Sequence, residues 1–316
     1  MEKIFVAGHK GMVGSAIVRR LKAFKRCKII TCPKKKLDLL DRSAVDSFLN
    51  QSRPDIIINA AAKVGGIMAN KTLPAEFIYQ NLAININLVD AAFRQGVPRL
   101  INLGSSCIYP KIVPLPISEE SLLSGKLEPT NDAYAIAKIA GLEMCRHYRS
   151  QYGVMFHSVL PTNLYGPGDN YHLDNAHVLP ALIRKFHEAK MEKKKAVEVW
   201  GSGTPLREFL YVDDLADAIV HLMTIKSPPD YVNIGTGREC SITKLCELIK
   251  EVVGFNGELH FDSSKPDGVK SKVLNVSSME AIGWKANVKL RDGIKRTYAD
   301  FLKRLEDGTL RINDYN

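Results

Sequence analysis

What this chain of 316 residues lacks narrows the field before any motif is read. It has no apolar run of about 20 residues, the length a helix needs to cross a bilayer, so no membrane association is expected. The opening MEKIFVAG is charged and passes at once into a short apolar run, unlike a secretory leader. Six cysteines (Cys27, Cys32, Cys107, Cys145, Cys240 and Cys246) include no C-x-x-C pair and no zinc-type spacing with histidine. Free thiols in a cytoplasmic compartment are therefore expected, with no metal. No segment repeats at a solenoid period. Acidic side chains are the scarcer charge: 34 against 44 Lys and Arg gives +10. Part of that excess sits in the lysine runs at 34–36 and 193–195, which read as solvated. No basic stripe interleaved with aromatics appears, so nucleic acid is not an expected partner, whereas a phosphorylated small molecule fits the charge.

What is present is a regular alternation. Short apolar runs at 3–7, 28–31, 55–60, 99–103 and 156–160 are separated by helical spacing at 12–24, 42–51, 74–94 and 134–152. Ser43 is placed to cap or enter the second of these helices. Strands that are apolar on both faces and alternate with helices predict an α/β fold, a doubly wound parallel Rossmann sheet. Beyond Asn163 the alternation weakens. Loops at 165–170, 201–205 and 263–268 appear, with helices at 177–189 and 241–253 between them. The expected division is a nucleotide-binding domain over 1–165 and a smaller, mainly substrate-binding region over 166–316, with a strand near 231–234 returning to the main sheet. The tail at 306–316 is read either as disordered or as covering the site.

Gly8-His9-Lys10-Gly11-Met12-Val13-Gly14 ends the first strand and opens a helix. The three glycines suit a tight turn, close approach of a pyrophosphate and close packing of helix on sheet. The helix start offers free N–H groups to the anion. After the second strand, where an NAD-preferring site places an acidic residue, this chain has Cys32-Pro33-Lys34-Lys35-Lys36. Lysines there and Lys10 would attract a 2′-phosphate, so NADP is expected. The other reading of 34–36 is a solvated turn. Asp38 either contacts adenine or caps a turn. The small residues Asn59-Ala60-Ala61-Ala62 and Leu103-Gly104-Ser105-Ser106, at the ends of the third and fourth strands, leave room for the cofactor.

Tyr134 and Lys138 are four apart on a helix and share a face. A lysine beside a phenol is expected to lower its pKa, which fits a tyrosine that protonates a carbonyl oxygen. Ser105 can offer a hydroxyl to the same oxygen. With the glycine turn, the N-A-A-A and G-S-S segments and Y-x-x-x-K in this order, the chain resembles the extended short-chain dehydrogenase/reductase family from Lys3 to at least Trp284. Segments such as AGHKGMVG, AAAKVGGIMA, LGSSCIYP, PTNLYG and VWGSGTPLREF are most similar to its branch of GDP-keto-deoxysugar epimerase-reductases.

That resemblance implies a GDP-sugar substrate, NADPH, and inversion at C3 and C5 of a 4-keto-6-deoxymannose before reduction at C4. It gives Cys107 as base, His177 as acid, and Ser105, Tyr134 and Lys138 as the reducing centre. Cofactor contacts would extend to Leu39, Ala61, Leu103, Gly104, Ser106, Pro161, Thr162, Asn163, Leu164 and His177. Read alone, Cys107 is more often a small buried hydrophobe, and His177 more often a polar cap. Arg207 could fork onto a diphosphate, and Lys272 is a second candidate. Trp200 could pack on sugar or base, or sit in the core. Asp267 could bond a ribose or only shape its turn, and Asn163 could orient sugar hydroxyls. Lys185 stands where the family suggests arginine, which keeps the charge and loses the fork. The resemblance further implies a homodimer through a four-helix bundle of the helices at 74–94 and 134–152. The alternatives are another nucleotide-sugar epimerase or dehydratase of the same family, and a non-catalytic nucleotide-binding scaffold.

Overall fold

The computed structural model describes residues 1–24, 27–173, 176–265 and 267–312; residue 266 of the 263–268 loop and residues 313–316 of the tail lie outside the described residues. In chain order the first half runs β1 (Glu2–Ala7), α1 (Met12–Phe24), β2 (Cys27–Ile30), α2 (Arg42–Ser52), β3 (Ile56–Asn59), α3 (Ile67–Thr72), α4 (Pro74–Arg94), β4 (Arg99–Leu103), α5 (Asp132–Tyr152) and β5 (Met155–Pro161). The second half runs β6 (Asn163–Tyr165), α6 (Val178–Met191), β7 (Ala196–Trp200), β8 (Leu206–Tyr211), α7 (Val212–Thr224), β9 (Tyr231–Ile234), β10 (Glu239–Ser241), α8 (Ile242–Val253), β11 (Glu258–Asp262), α9 (Ser277–Ala281) and α10 (Leu290–Glu306).

The main sheet has the order β2-β1-β3-β4-β5-β9, and every neighbouring pair is parallel. Its strands are mainly apolar because both faces are covered, with Asn59, Asn102, His157, Ser158 and Asn233 as buried polar exceptions, and alternate residues go to opposite sides. Ile4, Val6, Ile56, Ile58, Ile101 and Val159 pack with α1 and α7. Phe5, Ala7, Ile57, Leu100 and Phe156 pack instead with α2 and α4. α7, which sequence reading passed over, thus completes the layer begun by α1. Arg19–Asp213 and Arg20–Asp217, each at 2.7 Å, join the two helices at the surface; pairs this exposed contribute only about 0–1 kcal/mol. β9 lies beside β5, so the chain re-enters the sheet after β6, β7 and β8 have been laid elsewhere.

Those later strands form two small sheets, β10-β8-β6 and β11-β7. With α6, α8 and α10 they enclose a second core around Phe186, Phe209, Leu245, Ile249 and Phe301. The helices at 177–189 and 241–253 match α6 and α8, but the five short strands beyond 163 and α10 were not anticipated. The cap of α2 also differs: Asp41 accepts from the Ala44 N–H at 3.0 Å, and Ser43 lies inside the first turn. A carboxylate both accepts the hydrogen bond and faces the positive end of the helix dipole.

Candidate active site

The strand order reverses at β1, whose neighbours are β2 on one side and β3 on the other. A crevice forms outside the carboxyl ends of strands at such a point, and the glycine turn lies in it. Gly8 has φ +74, and a Cβ there would fall 2.7 Å from the Ala60 carbonyl oxygen and Ala61 nitrogen. A Cβ on Gly14 would come within 2.2 Å of the Gly8 oxygen, so α1 rests directly on the turn. Gly11 is different: its Cβ would meet nothing nearer than 3.4 Å. Gly11 is therefore not needed for internal packing, and its bare backbone leaves space outside the turn. Gly8 and Gly11 close the turn by a 3.0 Å hydrogen bond. His9 is held below the ordinary histidine range, first by burial and then by Lys10. α1 begins at Met12-Val13-Gly14 with no acidic residue in its first turn. These features fit a dinucleotide pyrophosphate.

Lys10, Lys34, Lys35 and Lys36 are all exposed, and 34–36 form a turn after β2. Asp38 takes the turn-capping course: its Oδ1 accepts from Leu40 N–H at 3.0 Å. Leu39 and Ala61 are half-buried. Gly104 lies so close to Leu160 that a Cβ would sit 2.5 Å from it. Beyond β5, Thr162 N–H donates to the Ile234 carbonyl at 3.0 Å.

A polar network that sequence reading missed holds this cofactor edge. Asn59 Nδ2 donates to Asn85 Oδ1 at 3.2 Å and to Asn102 Oδ1 at 3.0 Å. Asn81 grips both backbone groups of Lys63, each at 3.0 Å, just beyond the N-A-A-A segment. The spacing of Asn81 and Asn85 on α4 was the available signal: two asparagines four apart on the face of a long helix that also carries Leu88 and Ala92.

The end of β4 and the start of α5 bring four predicted residues together. Ser105 Oγ accepts from Cys107 N–H at 3.2 Å, opening a short 3-10 turn at Ser106–Ile108. The Ser105 side chain lies close enough to the Tyr134 phenol to favour its ionised form, while negative charge on Cys107 would oppose it. Lys138 is only 3% exposed. Its Nζ donates to the Leu103 carbonyl at 2.7 Å and lies 5.8 Å from the Tyr134 ring centre. The expected lowering of the tyrosine pKa is not found. Burial pushes Tyr134 well above the ordinary phenol range, Cys107 adds to the rise, and the nearby Ser105 side chain offsets part of it. Burial in turn pushes Lys138 down to about 8. Tyr134 therefore holds its proton at neutral pH, the state a general acid requires.

His177 stands apart from these four in the chain, at the N-cap of α6, and its side chain makes no capping hydrogen bond. The residue is exposed, yet desolvation by the surrounding protein lowers the pKa of its imidazole.

The other predicted ligand residues gather in the second body. Trp200 is 50% exposed, which excludes the core reading. Lys185 Nζ lies 5.2 Å from its ring centre and Lys265 Nζ 5.7 Å. Asp267 shapes the adjoining turn, accepting from Ser202 N–H at 2.6 Å and Ser202 Oγ at 2.7 Å. These bonds hold its carboxyl below the usual range. Arg207 donates to the Asp267 carbonyl at 3.2 Å, and burial depresses its pKa. Lys272 N–H donates to Glu239, on the strand paired with β8. Asn163 Nδ2 is engaged with the Glu208 carbonyl at 2.9 Å.

Glu208 is a further residue missed from sequence. It is wholly buried, and accepts from Thr236 N–H at 2.5 Å, Gly237 N–H at 2.8 Å and Leu274 N–H at 2.9 Å. It ties the strand carrying Arg207 to the segment that leaves β9 and to the one carrying Lys272. Among the described residues no group of three or more His, Cys, Asp or Glu could hold a metal, and no helix is long and apolar enough to cross a membrane.

A parallel sheet with a glycine-turn anion site, and a serine, tyrosine and lysine at the end of its fourth strand, defines a nucleotide-dependent enzyme of the short-chain dehydrogenase type. Residues 4–235 match the NAD dependent epimerase/dehydratase family, and the chain belongs to it. It is 51% identical to the GDP-L-fucose synthase of Sinorhizobium fredii over 97% of both chains. It is 54% identical to GDP-L-fucose synthase 1 of Arabidopsis thaliana over 96% of this chain and 94% of that one. Among solved structures it resembles a GDP-L-fucose synthetase from Naegleria fowleri bound to NADP, with TM-score 0.90 and 30% identity over 98% of this chain and 96% of that one.

Proposed function

We propose that this protein makes GDP-L-fucose from GDP-4-keto-6-deoxy-D-mannose, inverting C3 and C5 and reducing C4 with NADPH in one active site. The observation that carries the reading is the convergence of Ser105, Cys107 and Tyr134 beside the carboxyl end of β4. The ketone at C4 acidifies the protons on its neighbouring carbons. Cys107, as thiolate, takes one proton from each of C3 and C5, the electron pair moving each time into the C4 carbonyl. His177 returns a proton to the opposite face of each carbon, and the ketone is restored. NADPH, when bound, supplies the hydride to C4. Tyr134 gives its phenolic proton to the C4 oxygen, Ser105 orients that oxygen, and Lys138, which holds the end of β4, would reach the cofactor ribose.

Gly8, Gly11, Gly14 and the start of α1 would hold the pyrophosphate, with Lys10, Lys34 and Lys35 at the 2′-phosphate. Lys185, Trp200, Arg207, Asp267 and Lys272 would hold the GDP moiety. The division of labour is then a Rossmann body and a substrate body, with β9 belonging to the first. A homodimer through α4 and α5 is part of this reading, supported by exposed Tyr79 and Ile86 on α4 and Ile136 and Tyr152 on α5; so is a cytoplasmic location.

The test mixes protein, GDP-4-keto-6-deoxymannose and NADPH in D2O. NADPH oxidation with deuterium at C3 and C5 of the product is expected, and Cys107→Ser should lose the label. Oxidation without label would leave a simple 4-keto reductase and remove Cys107 and His177 from these roles.

A further inference from the structure

The loop between β6 and α6 delivers His177, and the end of the chain grips that loop. Gly168 N–H donates to Asp300 Oδ2 at 2.8 Å, while its carbonyl accepts from Arg311 Nη1 at 3.3 Å. One peptide segment is thus held through both of its polar groups. Asp300 is itself fixed by Arg304 Nε at 2.6 Å. Three residues further on, Tyr171 N–H donates to the backbone carbonyl of Arg311 at 2.8 Å. The Tyr171 ring is fully buried and meets Phe301 at 4.9 Å between centres. The Tyr171 carbonyl accepts from Arg184 Nη1 at 2.9 Å, and Arg184 lies on α6 two turns beyond His177. The chain of contacts therefore runs from α10 and the segment after it, through the loop, into α6.

His177 needs such support. Its side chain has no capping hydrogen bond to aim it, so the direction of the imidazole follows the placement of the first turn of α6. A proton donor must meet its carbon within hydrogen-bonding reach, and a displacement near 1 Å is enough to lose much of the rate.

We propose that Asp300 and Arg311 are positioning residues for His177, holding the loop and the first turn of α6 so that the imidazole faces the sugar carbons it protonates. The proposal rests on the reading of His177 as the proton donor. Its signature is specific. Cys107 can remove a proton and return a solvent deuteron to the same face, which labels the carbon without inverting it. Inversion alone needs His177.

The full chain and its Asp300→Ala, Asp300→Asn, Arg311→Ala and Arg311→Lys variants would be given GDP-4-keto-6-deoxymannose in D2O. NMR would follow inversion and deuterium wash-in at C3 and C5 separately, and calorimetry would follow NADP binding. In the two alanine variants inversion should fall about tenfold or more, with wash-in and NADP affinity within about twofold. Asparagine keeps an acceptor for Gly168 N–H and lysine keeps a donor for its carbonyl, so both should recover most of the inversion. Unchanged inversion in the alanine variants overturns the proposal, as does a parallel loss of inversion, wash-in and NADP binding. His177→Asn separates the two readings. Loss of inversion there with full inversion in the alanine variants overturns the positioning alone; inversion that survives His177→Asn overturns the donor assignment and the positioning with it.

Discussion

Lys138→Met separates what the buried ammonium does for catalysis from what it does for stability, because the two should move in opposite directions. The side chain is 3% exposed, and its pKa is depressed by burial from the ordinary 10.5 to about 8. A folded-state pKa below the unfolded one means that the folded chain holds this proton less tightly, so the charge opposes folding at neutral pH. A depression of this size corresponds to about 3 kcal/mol. The hydrogen bond to the Leu103 carbonyl, lost on substitution, returns about 1.5–3 kcal/mol because its donor is charged. Methionine of similar length should therefore leave stability unchanged or raise it by about 1–2 kcal/mol at pH 7. The pH dependence has a definite sign. The penalty is fully present below the folded pKa and is relieved as pH rises from about 8 toward 10.5. Between pH 7 and pH 9 the wild type should gain about 1 kcal/mol relative to the variant. Urea unfolding of both proteins at the two pH values, with thiols kept reduced, measures this directly. Reduction at C4 should meanwhile fall by about 10²-fold or more. A variant less stable than wild type by several kcal/mol at pH 7, or a difference independent of pH, would refute the desolvation argument.

Three further variants test the cofactor edge. Gly14→Ala would force a Cβ to within 2.2 Å of the Gly8 carbonyl, a backbone atom that cannot yield. It should lower stability by about 1–3 kcal/mol as well as NADPH affinity, whereas Gly11→Ala, with its nearest neighbour at 3.4 Å, should lower affinity alone. Calorimetric titration paired with thermal melts distinguishes them. Replacing Lys34 and Lys35 together by Glu should raise KM for NADPH about tenfold or more and change KM for NADH less than about twofold. The contrast should shrink at about 0.5 M salt, because exposed charges are screened over a few ångströms there; equal effects on both cofactors would return the 34–36 turn to mere solvation.

How far the fold could be read depended on how each strand is buried. β1, β3, β4 and β5 lie inside a sheet covered on both faces, so their burial writes itself as largely apolar runs, unbroken in Ile56-Ile57-Ile58 and interrupted by Asn102 in β4 and His157-Ser158 in β5. β7 shows the opposite case: its residues alternate between buried and exposed, with Glu198 outward. β8 conceals itself further by carrying Arg207 and Glu208 in its interior. A charged pair in a six-residue segment reads as a loop unless partners for the charges can be seen, and the partners of Glu208 lie at Thr236, Gly237 and Leu274. Helix α7 was different, since its apolar face is plain in Leu215, Ile219 and Leu222. It was passed over because the strand that follows it, β9, is separated from β5 by β6, α6, β7 and β8.

The site divides along the same physical line. Residues that do chemistry were legible because a reaction restricts residue type at fixed spacing: Tyr134 and Lys138 must share a helix face, and Ser105 and Cys107 must follow the same strand end. Residues that place those groups were not legible, because any side chain of suitable reach could serve. Asn59, Asn85 and Asn102 form a buried chain whose members come from two strands and a helix. Only the tertiary approach of α4 and α5, close enough that a Cβ on Gly141 would lie 2.5 Å from Asn85, explains why polar amides are tolerated there. The same reasoning accounts for Tyr134. The sequence places a lysine one turn away and suggests a lowered pKa, but that inference assumes the ammonium faces the hydroxyl. The structure points Lys138 Nζ at the Leu103 carbonyl instead, and desolvation decides the sign. A spacing rule predicts which groups are neighbours; which of their atoms meet is settled by the packing around them.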